Sequence, residues 1–289
     1  MKTSIIIPTV GRTFFAYNMV LLLLAGTCQA DEIIIVDQTG TKDRNPFAFA
    51  ELKKLEAEGK CLIVEQTVKC ATVARNVGIK HCLAELLIFV DDDAFIPGHF
   101  VEAYVNLFAD PRIDAATGMI LVGESDNGTI DTTQSHPSVH DGHTMLRGGN
   151  FAIRRSVILS IGGLDENFVG AANYEDADLA FRLHEKGCHV VWSPLPWLFH
   201  LSYPSGGGRI NNPLSHENFA YNLFYFHLRH YRHIKSSTLL GLLRWRVFNK
   251  ETVSRPWRLL PRLRDFIVGY RRARAMLASG PKLPLKGEG

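Results

Sequence analysis

The sequence is poor in cysteine. Its 289 residues hold five, Cys28, Cys61, Cys70, Cys82 and Cys188, an odd number at wide spacing with no C-x-x-C pair. That usage speaks against a disulfide framework and for free, mostly buried thiols in a reducing compartment. Long apolar runs are missing as well. No stretch reaches the ~20 residues needed to span a bilayer. The apolar segment at 20–25 lacks the basic lead-in and small-residue cleavage site of a signal peptide. A cytoplasmic protein is expected, and the sequon at Asn127-Gly128-Thr129 is then a chance match. There is no internal repeat.

What is present is ordinary globular composition, 46% hydrophobic and 21% charged, at a length that suits one large domain or a domain with an appendage. The net charge of +3 is unevenly spread. Residues 1–227 hold 17 Lys and Arg against 26 Asp and Glu, whereas residues 228–289 hold 15 against 3. An acidic body with a basic tail predicts that the tail meets something anionic.

Short β-branched runs at 4–7 and 32–36, a strand at 61–65 and an apolar run at 86–90 alternate with helical stretches at 13–25, 46–58 and 72–84. That alternation predicts an α/β protein with a parallel, doubly wound sheet. Polar or special residues follow the strands: Pro8-Thr9, Asp37, and the triplet Asp91-Asp92-Asp93. In such a sheet, ligands sit outside the carboxyl ends of the strands. Farther on, the pattern predicts a helix at 100–108, a strand at 115–122, a strand or turn at 151–154, helices at 156–161 and 175–186, and a strand at 190–192. The polar stretch 123–142 is too long for an ordinary connection and reads as a mobile or substrate-facing loop. Three glycines, Gly206 to Gly208, mark 203–212 as flexible.

The acidic triplet closes a charge-free apolar run. Side chains alternate along an extended chain, so Asp91 and Asp93 point one way and Asp92 the other. Two carboxylates at a strand end can hold a hard divalent cation that keeps open positions for phosphate oxygens. A solvated acidic turn is the plain alternative.

Five stretches occur in a set order: SIIIPTVGR at 4–12, IIIVDQTG at 33–40, ARNVGI at 74–79, IFVDDD at 88–93 and YEDADLAFRL at 174–183. Together, over roughly residues 3–202, they resemble the family 2 glycosyltransferases. The resemblance implies a GT-A fold, a Rossmann-like, mostly parallel central sheet flanked by helices. It also implies a nucleotide-sugar donor, expected to be UDP-linked, a divalent metal, and inverting transfer to a hydroxyl acceptor such as a lipid-linked glycan or polysaccharide.

By that resemblance Pro8, Thr9 and Arg12 cradle base and ribose, Asp37 reads the pyrimidine, and Arg75 reaches base or phosphate. Asp91 lies near the ribose. Asp92 joins the nucleotide set but faces the acceptor side or the backbone. Asp93 ligates the metal, and His200 completes the metal site. Gly148, Gly149 and Asn150 lie beside the donor sugar. Asp176, with Glu175 second, is the base that an inverting transfer needs on the acceptor face.

Each residue also has a plainer role. Residues 8–12 could be a turn, Asp37 a cap, Arg75 a surface cation, Glu175 and Asp176 partners of a helix dipole, His200 a core histidine, and 148–150 a turn. A nitrogen ligand beside carboxylates favours Mn²⁺ over Mg²⁺. Asp178 and Arg182, four apart on one helix face, are expected to pair structurally.

Two rivals remain. A nucleotidyltransferase can share this sheet, but it usually shows a glycine-rich basic loop after strand one, where this chain has only Gly11 and Arg12. A silent sugar-nucleotide-binding module would tolerate loss of Asp93 or Asp176, and both are present.

The domain expected at 1–218 is followed by a basic, aromatic-rich helical appendage at 219–280 and a frayed end at 281–289. The appendage interleaves aromatics and arginines without an RNA-binding or helix-turn-helix signature, so no nucleic acid is expected. The pattern suits an anionic membrane surface met through residues 228–275, on the inner face of the cell membrane. A homodimer contact or a solvated basic face is the alternative.

Overall fold

The computed structural model describes residues 1–123, 130–131, 136–140, 142–201, 203, 207, 215–231, 240–241, 243–244, 247–248 and 250–287. Strand and helix alternate first: β1 (Thr3–Thr9), α1 (Thr13–Leu24), β2 (Glu32–Asp37), α2 (Pro46–Ala57), β3 (Leu62–Glu65), α3 (Ala71–His81), β4 (Leu86–Val90). Then follow β5 (Ala94–Phe95), α4 (Phe100–Leu107), β6 (Ala115–Gly123), β7 (Ile130–Asp131), β8 (Val139–His140), β9 (His143–Thr144), β10 (Asn150–Arg154) and α5 (Arg155–Ser160). The chain continues through α6 (Glu175–Glu185), β11 (Val190–His200), α7 (Ser215–Tyr231), α8 (Lys250–Ser254), a 3-10 turn at Pro256–Arg258, and α9 (Leu259–Leu277).

The main sheet has the order β3-β2-β1-β4-β10-β6-β11-β5. Strands β3, β2, β1 and β4 are parallel, β10 runs antiparallel to both β4 and β6, and β11 runs parallel to β6. This is the expected mostly parallel α/β sheet. Both its faces are covered, which is why its strands are continuous apolar runs rather than alternating ones. Ile5 and Ile7 enter one core with α1, α2 and α4, while Ile6, Ile34 and Phe89 enter the other with α3, α5 and α6. Each fully buried Ile or Phe contributes ~1.5–3 kcal/mol of transfer free energy. Local signals set the helix ends. Asn45 accepts the Ala48 N–H at 2.9 Å and Pro46 takes the first turn of α2.

Topology also assembles a rim. Because β10 is antiparallel to β4, Asn150 pairs with Val90, and the Gly148-Gly149 turn comes to the carboxyl end of β4. The strand expected at 190–192 runs on to His200, past Pro194 and Pro196, by a register shift between Ser193 and Leu198. The prolines cannot donate to a ladder, and the shift absorbs them. The last residue of β11 then pairs with Ala94, which carries His200 to the acidic triplet.

The C-terminal helices form a third core rather than a loose attachment. Tyr221, Phe224, Tyr225 and Phe226 of α7 pack with Phe266 and Ala273 of α9, and with Phe168 and Ala172 of the body. The boundary expected at 218/219 falls inside α7. The expected frayed end at 281–289 is also corrected for 281–287. Leu285 is fully buried in the second core, and Lys282 N–H donates to Asp165 at 2.8 Å. Pro and Gly content suggested fraying, but one leucine with a hole to fill outweighed it. Residues 288–289, and 124–129 and 132–135 of the expected loop, lie outside the described residues, as does most of 203–212.

Buried ions clamp α7 to α6. Asp178 is fully buried and meets Arg182 at 2.8 Å, His230 at 2.9 Å and Arg229 at 3.3 Å. The expected Asp178–Arg182 pair is therefore present. Burial pushes the Asp178 carboxyl up, but Arg182, His230 and Arg229 outweigh it and hold it at about 2. The clamp's contribution is present above the ordinary carboxylate range and is lost as pH falls from about 4 towards 2. Asp178→Ala leaves the buried Arg182 without its carboxylate and removes one of the two acids that hold Arg229, and is expected to cost about 3–5 kcal/mol in thermal or denaturant unfolding. A cost below about 1 kcal/mol would show that the clamp is not structural.

Candidate functional site

A cleft of about 1050 Å³ opens along the rim of β1 and β4. Pro8, Thr9, Arg12, Arg75, Asp91, Asp92, Asp93, Gly148, Gly149, Glu175, Asp176 and His200 all line it. Two expected members do not. Asp37 stands behind the wall, where its carboxylate accepts from Thr39 N–H at 2.8 Å and Arg44 Nε at 2.9 Å, and Gln38 lines the cleft instead. Asn150 is fully buried. Its amide donates to the Met119 and Pro196 carbonyls and accepts from the Tyr104 hydroxyl, so it braces three strands from within.

At one end, Asp91, Asp93 and His200 bring ligand atoms within 4.8 Å of one another. His200 Nε2 lies 3.3 Å from Asp93 Oδ1 and 3.9 Å from Asp91 Oδ2. The other Asp93 oxygen, Oδ2, is held by Arg12 Nη1 at 2.7 Å and Tyr203 N–H at 3.1 Å. Arg12 in turn donates to the Tyr203 carbonyl at 2.7 Å. One oxygen is thus anchored and the other faces the imidazole. Two carboxylates and one imidazole fit a hard to borderline divalent cation. Asp92 is buried. It accepts from the Thr9 hydroxyl at 2.6 Å and from Arg12 at 3.2 Å. Burial pushes it up to about 7, with Asp93 and Asp91 adding to the rise against Thr9 and Arg12.

At the other end, Arg75 on α3 donates to Glu175 at 2.7 Å, to the Gly148 carbonyl at 2.9 Å and to Asp91 at 3.3 Å. Asp176 takes the Gly148 N–H at 2.9 Å on one oxygen and the Ala177 N–H at 2.8 Å on the other. Gly148 and Gly149 therefore connect the two ends. A Cβ at Gly149 would sit 2.7 Å from an Asp91 oxygen, and one at Gly148 would sit 3.0 Å from Glu175. Burial raises Glu175 to about 8, with the Asp176 charge adding to the rise and Arg75 opposing it. Burial raises Asp176 too, against its backbone N–H partners and Arg75.

Residues 4–167 match the family described as Glycosyl transferase family 2. The chain belongs to that family. It is 26% identical over 144 residues to pre-mycofactocin glycosyltransferases of Mycobacterium tuberculosis, covering 46% of this chain. The chain spans about a third of the length of those relatives, 30%. Its fold is similar to a Pyrobaculum calidifontis mannosyltransferase in complex with GDP-Man and Mn²⁺. The TM-score is 0.59 at 17% identity, over 98% of this chain and 77% of that one. It is also similar to S. aureus TarS, with a TM-score of 0.57 at 14% identity, over 80% of this chain and 40% of that one. The GT-A type of α/β fold follows from these likenesses.

In this family 2 chain the sequence left several wall residues unmarked. Tyr174, immediately before Glu175, has φ +75°, and Ala172 has φ +53°. A non-glycine residue held there costs ~1–3 kcal/mol and needs support from its surroundings. The support is visible: the Tyr174 ring stacks on Phe226 at 5.5 Å and meets Phe219 edge-on at 5.9 Å. Phe219, Phe226 and His227 of α7 line the cleft beside Tyr174 and Phe181. The aromatic run of the tail thus forms one wall of the site and fixes the start of the helix that carries Asp176. Tyr203 contributes through its backbone alone, which no side-chain pattern could announce.

Proposed function

We propose that this chain transfers a sugar from a nucleoside-diphosphate donor to a hydroxyl acceptor with inversion at the anomeric carbon. The observation that carries the reading is the Gly148-Gly149 turn, which abuts Asp91 at the metal-ligand end and donates to Asp176 at the other. Asp91, Asp93 and His200 would hold Mn²⁺ or Mg²⁺. When bound, that cation would offset charge building on the leaving diphosphate.

Arg12 and the Tyr203 N–H keep Asp93 aimed. Thr9 and Asp92 brace the floor beneath them. Asp176 takes the proton from the acceptor hydroxyl, whose oxygen forms the new bond to the anomeric carbon. The old carbon–oxygen bond breaks with its electron pair on the diphosphate. Arg75 donates to both Glu175 and the Gly148 carbonyl and so holds the glycine turn, which makes Glu175 a positioning residue while Asp176 reacts. The aromatic wall of Tyr174, Phe181, Phe219 and Phe226 suits the apolar face of a pyranose, in keeping with a glycan or glycolipid acceptor.

The base of the donor is the open variable. A pyrimidine reading rests on Asp37, which stands behind the wall, and the mannosyltransferase of similar fold holds GDP-Man. UDP-, GDP- and dTDP-sugars should therefore be compared by thermal shift with and without Mn²⁺, followed by nucleotide release and the anomeric configuration of the product. One donor class is expected to stabilise the protein in a Mn²⁺-dependent way and to give an inverted product. A retained configuration, or no turnover with any donor and an oligosaccharide panel, would reject the transfer reading.

A further inference from the structure

Much of the tail's apolar and cationic surface is spent inside the molecule. Tyr221, Phe224, Tyr225 and Phe226 of α7 are buried, Arg229 pairs with Asp165 and Asp178, Arg262 is buried, and Arg272 pairs with Glu217. Among the described residues, α9 keeps a stripe outside. Positions 260, 264, 267, 271 and 274 of α9 recur at steps of four and three, on one helix face. Arg262, Asp265, Phe266, Gly269 and Ala273 are its buried positions. Leu260 is 75% exposed and Ile267 43%, and Val253 at 77% and Trp257 at 71% are exposed just before α9 in the chain.

Arg264, Arg271 and Arg274 complete the stripe, with Arg255 and Arg258 exposed beside Trp257. Arg264 reaches Asp265 at 3.1 Å yet keeps its side chain 72% exposed. Residues 250–274 hold eight Lys and Arg against two Asp and Glu. Four large exposed apolar side chains interspersed with arginines over 253–267 depart from the scattered single apolars of an ordinary surface.

We propose that this stripe docks on an anionic lipid bilayer. Val253, Trp257, Leu260 and Ile267 enter the headgroup–acyl boundary and the flanking arginines meet acidic headgroups. Tryptophan prefers that boundary, and no helix among the described residues is long and apolar enough to cross the membrane. The contact therefore lies in the plane of the surface. The opposite, buried face of the same helix reaches towards the cleft. Phe219 lines the cleft and, with Arg262 and Phe266 of α9, a small adjoining crevice. Docking would bring the aromatic wall beside a lipid-linked acceptor. That last step rests on the transfer reading; the docking itself does not.

The test is co-sedimentation of the full chain with phosphatidylcholine vesicles, with and without phosphatidylglycerol, at low and high salt, in the absence of donor. Wild type is expected to pellet with the anionic vesicles at low salt and to be released by high salt. Trp257→Ser/Leu260→Ser and Arg264→Glu/Arg271→Glu are each expected to weaken partitioning by at least about tenfold. Both should leave the melting temperature and Mn²⁺-dependent nucleotide binding unchanged, which shows that these exposed changes do not unfold the chain. Equal binding to neutral vesicles, unaltered binding by either variant, or no pelleting would overturn the proposal. So would loss of a wild-type dimer in the same variants with no lipid binding, which would make the face a contact between copies.

Discussion

Asp93→Ala is expected to remove sugar transfer to background and to weaken Mn²⁺ binding by more than ~10²-fold, beyond the 10–100-fold seen when only a supporting residue of a metal site is lost. Asp93 is 1% exposed, faces His200 with one oxygen and is anchored by Arg12 and the Tyr203 N–H with the other. Alanine removes a ligand and also releases both anchors. Asp93→Asn separates these effects. The amide can keep an oxygen towards Arg12 and Tyr203 but offers no charge to a cation. It should fold like wild type and still lose Mn²⁺ affinity, measured by titration calorimetry without donor. If Asp93→Asn binds Mn²⁺ as tightly as wild type, the Asp91, Asp93 and His200 set is not the metal site.

That residue could be singled out beforehand because its chemistry is written locally. An apolar run that stops at a carboxylate triplet fixes both a strand and a rim, and the alternation of side chains separates Asp92 from its neighbours. The structure agrees: Asp91 and Asp93 approach His200 while Asp92 meets Thr9. The parallel order of β1 to β4 was legible for the same reason, since each strand is a short run rich in apolar residues. The continuation of β11 through Pro194 and Pro196 was not. A register shift is a property of two strands, β6 and β11, and only the partner decides whether it can form. Asp37 and Asn150 show the same limit. Each sits one step from the cleft in sequence order, but Arg44 and Tyr104, which lie outside the motifs, take their side chains.

The pattern of the tail is ambiguous rather than silent. Aromatics interleaved with arginines can bury either against a bilayer or against the body of the same chain. Burial of a charge is expensive unless it is paired, and the body supplies the pairs through Asp165 and Asp178 for Arg229. Both acids sit in the body sequence, where nothing marks them as partners of a helix more than fifty residues on. Net charge counted along the chain therefore overstated what the tail offers to a partner.

Asp176→Asn is the sharper test of the chemistry. The amide matches the carboxylate in size. Its oxygen can accept the Gly148 N–H, so the glycine turn and the Asp91 end should stay in place. It cannot take a proton. Turnover is expected to fall by ~10²–10⁴-fold, the usual scale for loss of a general base, with donor affinity unchanged by calorimetry. pH supplies a second readout. Only the ionised carboxylate can act, so activity rises with pH through the pKa of Asp176, which burial sets above the ordinary carboxylate value. The acid limb of the kcat/KM profile should be present in wild type and absent from the residual activity of the asparagine variant. Glu175→Gln behaves differently on this reading. It loosens Arg75 and the Gly148 carbonyl but leaves a base in place, so its activity falls while the acid limb survives. If Glu175→Gln abolishes the limb and Asp176→Asn retains it, the two carboxylates exchange roles.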